Sequence, residues 1–190
     1  MITCIDRRME ADLKDHVLEQ VLDTEKFQSF YMKRPGGGRV MSTLITFTPE
    51  GIVIQGDLTP GRHGNVSCLG YGLGWFRGQL SGSYLAEKFL QQGWYTEVAV
   101  VDLREFLKNI ADGNEEAKPG DVEKIQELIK RCEDGDIGTE GFREAWEDIY
   151  EDWCWDWSLG WGYNPTEHSW LCVIQQRFAA LYNAANEQDR

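Results

Sequence analysis

The sequence predicts an α+β fold, with an antiparallel meander of three or four strands beside an N-terminal helix and a helical C-terminal half. Three observations carry this. Short runs rich in β-branched and aromatic residues cluster between residues 27 and 57, separated by turn-forming Pro and Gly. Apolar residues recur at helical spacing before that cluster and again through the second half. Apolar content of 42% with 12% aromatic residues belongs to a folded chain with a core, not a disordered one.

Taken in order, residues 7–22 read as one amphipathic helix, with Met9, Leu13, Val17 and Val21 in a stripe that Leu18 and Leu22 widen. Strands are expected near 27–34, 40–47 and 52–57, divided by Pro35-Gly36-Gly37-Gly38 and by Thr48-Pro49-Glu50-Gly51. A fourth short strand is expected at Asn65–Leu69. Ser81 or Ser83 suits the cap of a helix through Tyr84 and Lys88, and Val101–Asp112 reads as another helix. Asp121–Cys132 and Glu140–Trp153 follow as helices, and Asn164-Pro165-Thr166 starts a last one with Trp170, Val173, Ile174, Phe178, Leu181 and Tyr182 on a wide apolar face. A single domain over 1–190 is expected, with a sheet-containing part at 1–110 and an acidic helical part at 111–190.

Charge is unevenly spread. Of the net charge of −13, −11 falls between Asp112 and Asp156, where sixteen acids face five bases. Such a block repels nucleic acid and attracts basic surfaces. Its last part, Glu140 to Asp156, holds seven acids against Arg143 and runs into Trp153, Trp155 and Trp157. Glu140, Glu144, Glu147, Asp148, Glu151, Asp152, Trp153, Trp155, Asp156 and Trp157 are therefore the candidate partner-binding residues, since Trp anchors dominate interfaces. Base-stacking platforms come with basic grooves, so the acidic flanks argue against direct nucleic-acid binding.

Chemistry-bearing constellations are sparse. Asp57, Arg62 and His63 share the loop after the third expected strand. A carboxylate, a guanidinium and an imidazole there could serve a small enzyme or a nucleotide-binding protein, although the same composition suits a solvated turn. The run Gly70-Tyr71-Gly72-Leu73-Gly74-Trp75 lacks the glycine spacing and the surrounding βαβ unit of a dinucleotide loop, so a tight connection is the simpler reading. His168 and Cys172 lie four apart on the last helix, with Cys172 between Leu171 and Val173 as a packed thiol would be. Five scattered Cys without paired spacing point to reduced thiols, and the charged start and the absence of a long apolar window point to the cytoplasm without a membrane anchor. No cofactor motif and no metal-ligand spacing is found.

Four blocks together carry a resemblance: Leu44–Phe47 with Pro49-Glu50-Gly51, Ile52 to Gly56-Asp57, Tyr84-Leu85-Ala86-Glu87-Lys88, and His168-Ser169-Trp170-Leu171-Cys172 running to Tyr182. This pattern resembles a group of small phage and prophage proteins of unassigned function. It departs from them after Asp57, where a longer insertion stands. The resemblance implies a phage setting in the host cytoplasm and brings no active site. In charge and size the chain is also similar to small acidic phage proteins that block nucleases, including anti-CRISPR proteins. The implied partner is a host or defence-system protein with a basic surface. A virion structural or assembly role is the further alternative.

Overall fold

A computed structural model describes residues 4–36, 42–57, 65–114, 118, 120–149 and 160–187. In chain order the elements are α1 (Cys4–Leu13), β1 (Val17–Asp23), β2 (Gln28–Lys33), β3 (Thr43–Phe47), β4 (Gly51–Gly56), β5 (Asn65–Leu69), α2 (Leu73–Phe76) and α3 (Gly82–Phe89). Then come β6 (Gly93–Trp94), α4 (Thr96–Ala111), α5 (Asp121–Glu133), α6 (Thr139–Glu147), β7 (Trp161–Gly162) and α7 (Pro165–Glu187). The class is α+β, with an N-terminal helix and a helical C-terminal half. The residues group into two compact units, 1–91 with 166–190, and 92–165.

In the first unit the sheet is antiparallel throughout, in the order β1-β2-β3-β4-β5. The central strand β3 alternates as a half-buried strand must. In β3, Thr43, Ile45 and Phe47 are buried while Leu44 and Thr46 are partly open. The register sets Phe30 against Ile45, Ile45 against Ile54, and Ile52 against Cys68, which gives one continuous apolar face. α7 supplies Phe178 to that face. Its ring lies 5.5 Å from Phe30, 5.6 Å from Phe47 and 5.4 Å from Phe76, so one aromatic joins two strands and a helix. Met9 and Leu13 of α1 are buried in the same unit.

The turns follow their residues. Thr48 Oγ1 accepts from the amides of Glu50 and Gly51, at 3.2 and 3.1 Å, and closes the β3–β4 turn. Gly56 has φ +130°, and a Cβ there would run into the Ser42 carbonyl, so only glycine fits. Ser81, not Ser83, caps α3 by accepting from the Tyr84 amide at 3.4 Å. Pro165 opens α7, as expected of proline in a first turn.

Two expectations need correction. The helix expected over 7–22 stops at Leu13, and its second half is β1, so the sheet has five strands among the described residues. Apolar residues at 17, 18, 21 and 22 satisfy a helical stripe, but β-branched Val17 and Val21 fit an extended edge equally well. Pairing with β2 decides the matter: Leu18 lies opposite Met32 and Gln20 opposite Phe30. The register then slips between Gln20 and Leu22, which makes Val21 the extra residue of a bulge. The helix expected over Glu140–Trp153 begins at Thr139 and ends at Glu147, with its last expected residues outside the described range.

The second unit is helical. Leu103 and Phe106 of α4, Ile125 and Leu128 of α5, and Phe142 and Trp146 of α6 make its buried core. Trp94 packs on Phe142 at 5.4 Å and Phe106 on Trp146 at 5.9 Å. β6 and β7 pair as a two-stranded ribbon, Trp94 opposite Trp161.

Candidate functional site

The unit over 92–165 concentrates the charge of the chain. It holds nineteen acids against seven bases, a net −12, and the remainder of the chain holds thirteen against twelve, a net −1. α6 shows how the acids are presented. Phe142, Trp146 and, just past the helix, Ile149 are buried. That fixes the opposite side, where Glu140, Glu144, Glu147 and Asp148 are all exposed. Spaced by four, three and one residues, they form one carboxylate row along the helix.

The row is electrostatically uneasy. Arg143 is the sole base within it and reaches Glu140 at 3.8 Å. Glu144 has carboxylates at i−4, i+3 and i+4, spacings at which like charges repel. The last turn carries acids and no base, where the helix dipole favours cations by about 0.3–1 kcal/mol each. α5 is built the other way, with Asp121 and Glu123 in its first turn and Lys130 and Arg131 in its last. The Lys124 ammonium turns to the Asp148 carbonyl at 3.4 Å, and Arg104 is engaged by Glu133. The acids at the end of α6 thus stand where helix stability alone would not put them.

Of the ten candidate partner-binding residues, the structure places these four. Glu151, Asp152, Trp153, Trp155, Asp156 and Trp157 lie outside the described residues. Of the alternative loop, Asp57 is described, and its amide donates to the Ser42 carbonyl at 3.1 Å at the end of β4. Arg62 and His63 lie outside the described residues.

The glycine run turns the chain from β5 into α2 and builds an aromatic cluster. Tyr71 lies on Trp75 at 4.3 Å, its hydroxyl meets that of Tyr84 at 3.1 Å, and the Lys88 ammonium sits 5.1 Å over the Tyr84 ring. The hydrogen bond with Tyr71, then burial, pushes the Tyr84 hydroxyl above its ordinary range, and the bond to Glu87 raises Lys88. Neither group is primed as a base near neutrality. His168 and Cys172 do come together. A Cβ on Gly82 would stand 2.8 Å from His168 Nε2 and 2.9 Å from Cys172 Sγ, so α3 begins on a glycine because α7 leaves no room for more. An open groove of about 420 Å³ runs between β1, β2 and the end of α7, lined by Leu18, Gln20, Phe30, Tyr182 and Asn186 among others. No His or Cys lines it.

Two large apolar side chains described in this unit are exposed. Trp161 is 51% exposed and Val101 60% exposed in the acidic unit. Val101 reads as one more residue of an amphipathic helix, so only its exposure singles it out.

Comparison with protein-family models, curated proteins and solved structures finds no match to this chain. The phage resemblance therefore rests on the four sequence blocks alone. No described helix is long and apolar enough to cross a membrane.

Proposed function

We propose that this protein acts by binding, in a phage setting, and that the acidic face of α6 competes for a basic, nucleic-acid-binding groove on a host or defence-system protein. The observation that carries this is the exposed row Glu140, Glu144, Glu147 and Asp148, four acids with Arg143 as the one base among them and no base in the last turn of the helix. Carboxylates in a row present a field like that of a phosphate backbone. They speed encounter with a cationic groove and make binding sensitive to salt. A net −12 within one compact unit gives that field its strength.

The test is recovery of partners from infected-host extract by the full chain and by a Glu140→Lys, Glu144→Lys, Glu147→Lys variant, at low and high salt. The expected result is a nucleic-acid-binding protein held at low salt, displaced by added duplex DNA, and lost with the variant. Equal recovery by the variant, or indifference to DNA and salt, overturns the reading.

A further inference from the structure

We propose that His168 Nε2 and Cys172 Sγ form a two-donor site for copper(I) where the start of α3 meets α7. The two residues lie four apart, so their side chains share one face of α7. That face is turned to the first turn of α3. The ideal Cβ position on Gly82 lies 2.8 Å from His168 Nε2 and 2.9 Å from Cys172 Sγ. Nitrogen and sulfur therefore face one point, and their separation cannot exceed those two lengths together. Gly82 is the first residue of α3 and has no side chain to put there. All three residues belong to the same compact unit, 1–91 with 166–190.

The nitrogen gives an independent sign of a ligand. Nε2 is buried, and among the described residues no hydrogen bond reaches it. A buried polar atom in that condition carries a free-energy penalty that a bound group removes. With its proton on Nδ1, the imidazole presents the Nε2 lone pair to the hollow beside Gly82. A carbon at 2.8 or 2.9 Å from these atoms is crowded. Metal bonds to His nitrogen and Cys sulfur are shorter still, about 2.0–2.3 Å for zinc, so an ion fits where a methyl group does not. The donor set selects the ion. A thiolate is a soft ligand and an imidazole suits copper, a pair that favours copper(I). Structural zinc takes four ligands, and no group of three or more His, Cys, Asp or Glu that could hold a metal occurs among the described residues. Copper(I) is satisfied by two donors in line. Ser81 and Ser83, on either side of Gly82, are exposed, which places the hollow one residue beneath the surface. As the copper–sulfur bond forms, the thiol releases its proton to solvent and the copper stays in the +1 state.

The test is anaerobic titration of copper(I) into the full chain against a competing colorimetric chelator. Cys4→Ser and Cys154→Ser are present throughout, which leaves Cys172 beside the buried Cys68 and Cys132. One equivalent is expected to be held, with X-ray absorption showing one sulfur and one nitrogen donor. Loss of an outer partner of a metal ligand already weakens binding by about 10–100-fold, so Cys172→Ser and His168→Gln are each expected to weaken it at least about a hundredfold. Gly82→Ala keeps both donors but fills the hollow, and it should weaken binding as much. Metal-free melts identify any variant that fails to fold, and the absorption spectrum needs no change at the site at all. Unaltered affinity in a folded His168→Gln, or a copper shell of sulfur alone, overturns the proposal.

Discussion

Arg177 of α7 donates to the carbonyl oxygen of His16 at 2.8 Å, and the same nitrogen reaches the carbonyl of Lys14 at 2.7 Å. The last helix thus holds the point where α1 ends and β1 begins. A cation at a helix C-terminus meets both the orphan carbonyls and the negative end of the dipole. Arg177→Ala is expected to cost about 1.5–3 kcal/mol, as loss of hydrogen bonds to a charged group does. Urea denaturation measures it, and hydrogen exchange should rise first in the β1 amides. A variant as stable as the parent would remove Arg177 from this role.

Gln175 does the same for α2. Its side-chain amide, buried to 1% exposure, donates to the carbonyls of Phe76 and Gly78 at 2.6 and 2.8 Å. Gln175→Leu strands both acceptors and should destabilise by about 1–3 kcal/mol. Gln175→Glu should do worse near neutrality, because its carboxylate faces two carbonyls. Thermal unfolding of the two variants ranks them.

At the end of α6 stability and binding should part. Glu144→Lys and Asp148→Lys remove like-charge repulsion and answer the dipole, so each is expected to raise stability by a few tenths of a kcal/mol, up to about 1. The same changes should weaken any basic partner. A melting series at low salt reads the first effect, and the gain should shrink as salt rises. A loss of stability in both variants would mean that the acids serve the fold.

Burial pushes the Cys68 and Cys132 thiols above the ordinary value of about 9.0. Each keeps its proton in the folded chain at a pH where the unfolded chain has lost it. Their contribution to stability is present below about pH 9.0 and declines as the pH rises through the raised folded values. Urea midpoints between pH 8 and pH 10.5 should fall less steeply in a Cys68→Ala, Cys132→Ala variant than in the parent. A thiol-specific reagent at pH 8 should react with these two only on unfolding.

Much of the fold is written locally. β3 and β4 are legible because Leu44–Phe47 and Ile52–Gln55 are apolar runs closed by the Thr48–Gly51 turn, and each rule acts within a few residues. β1 is not legible in that way. Nothing in Lys14-Asp15-His16 breaks a helix outright, and what turns Val17–Asp23 into a strand is pairing with β2. Acids on α6 can be counted in the sequence, and Phe142 and Trp146 already indicate which side they take. The placement of β7 depends instead on its lying against α4, a contact between residues some sixty apart.

The bulge at Val21 has a meaning for solubility. β1 is an outer strand, and Val17, Val21 and Leu22 on it are 41–47% exposed. A flat apolar border of this kind invites strand after strand to stack on it, the route to fibrils. The slipped register breaks the ladder midway, and the Glu19–Lys33 ion pair sets charge beside the break. One inserted residue thereby makes the greasy border a poorer template for strand addition.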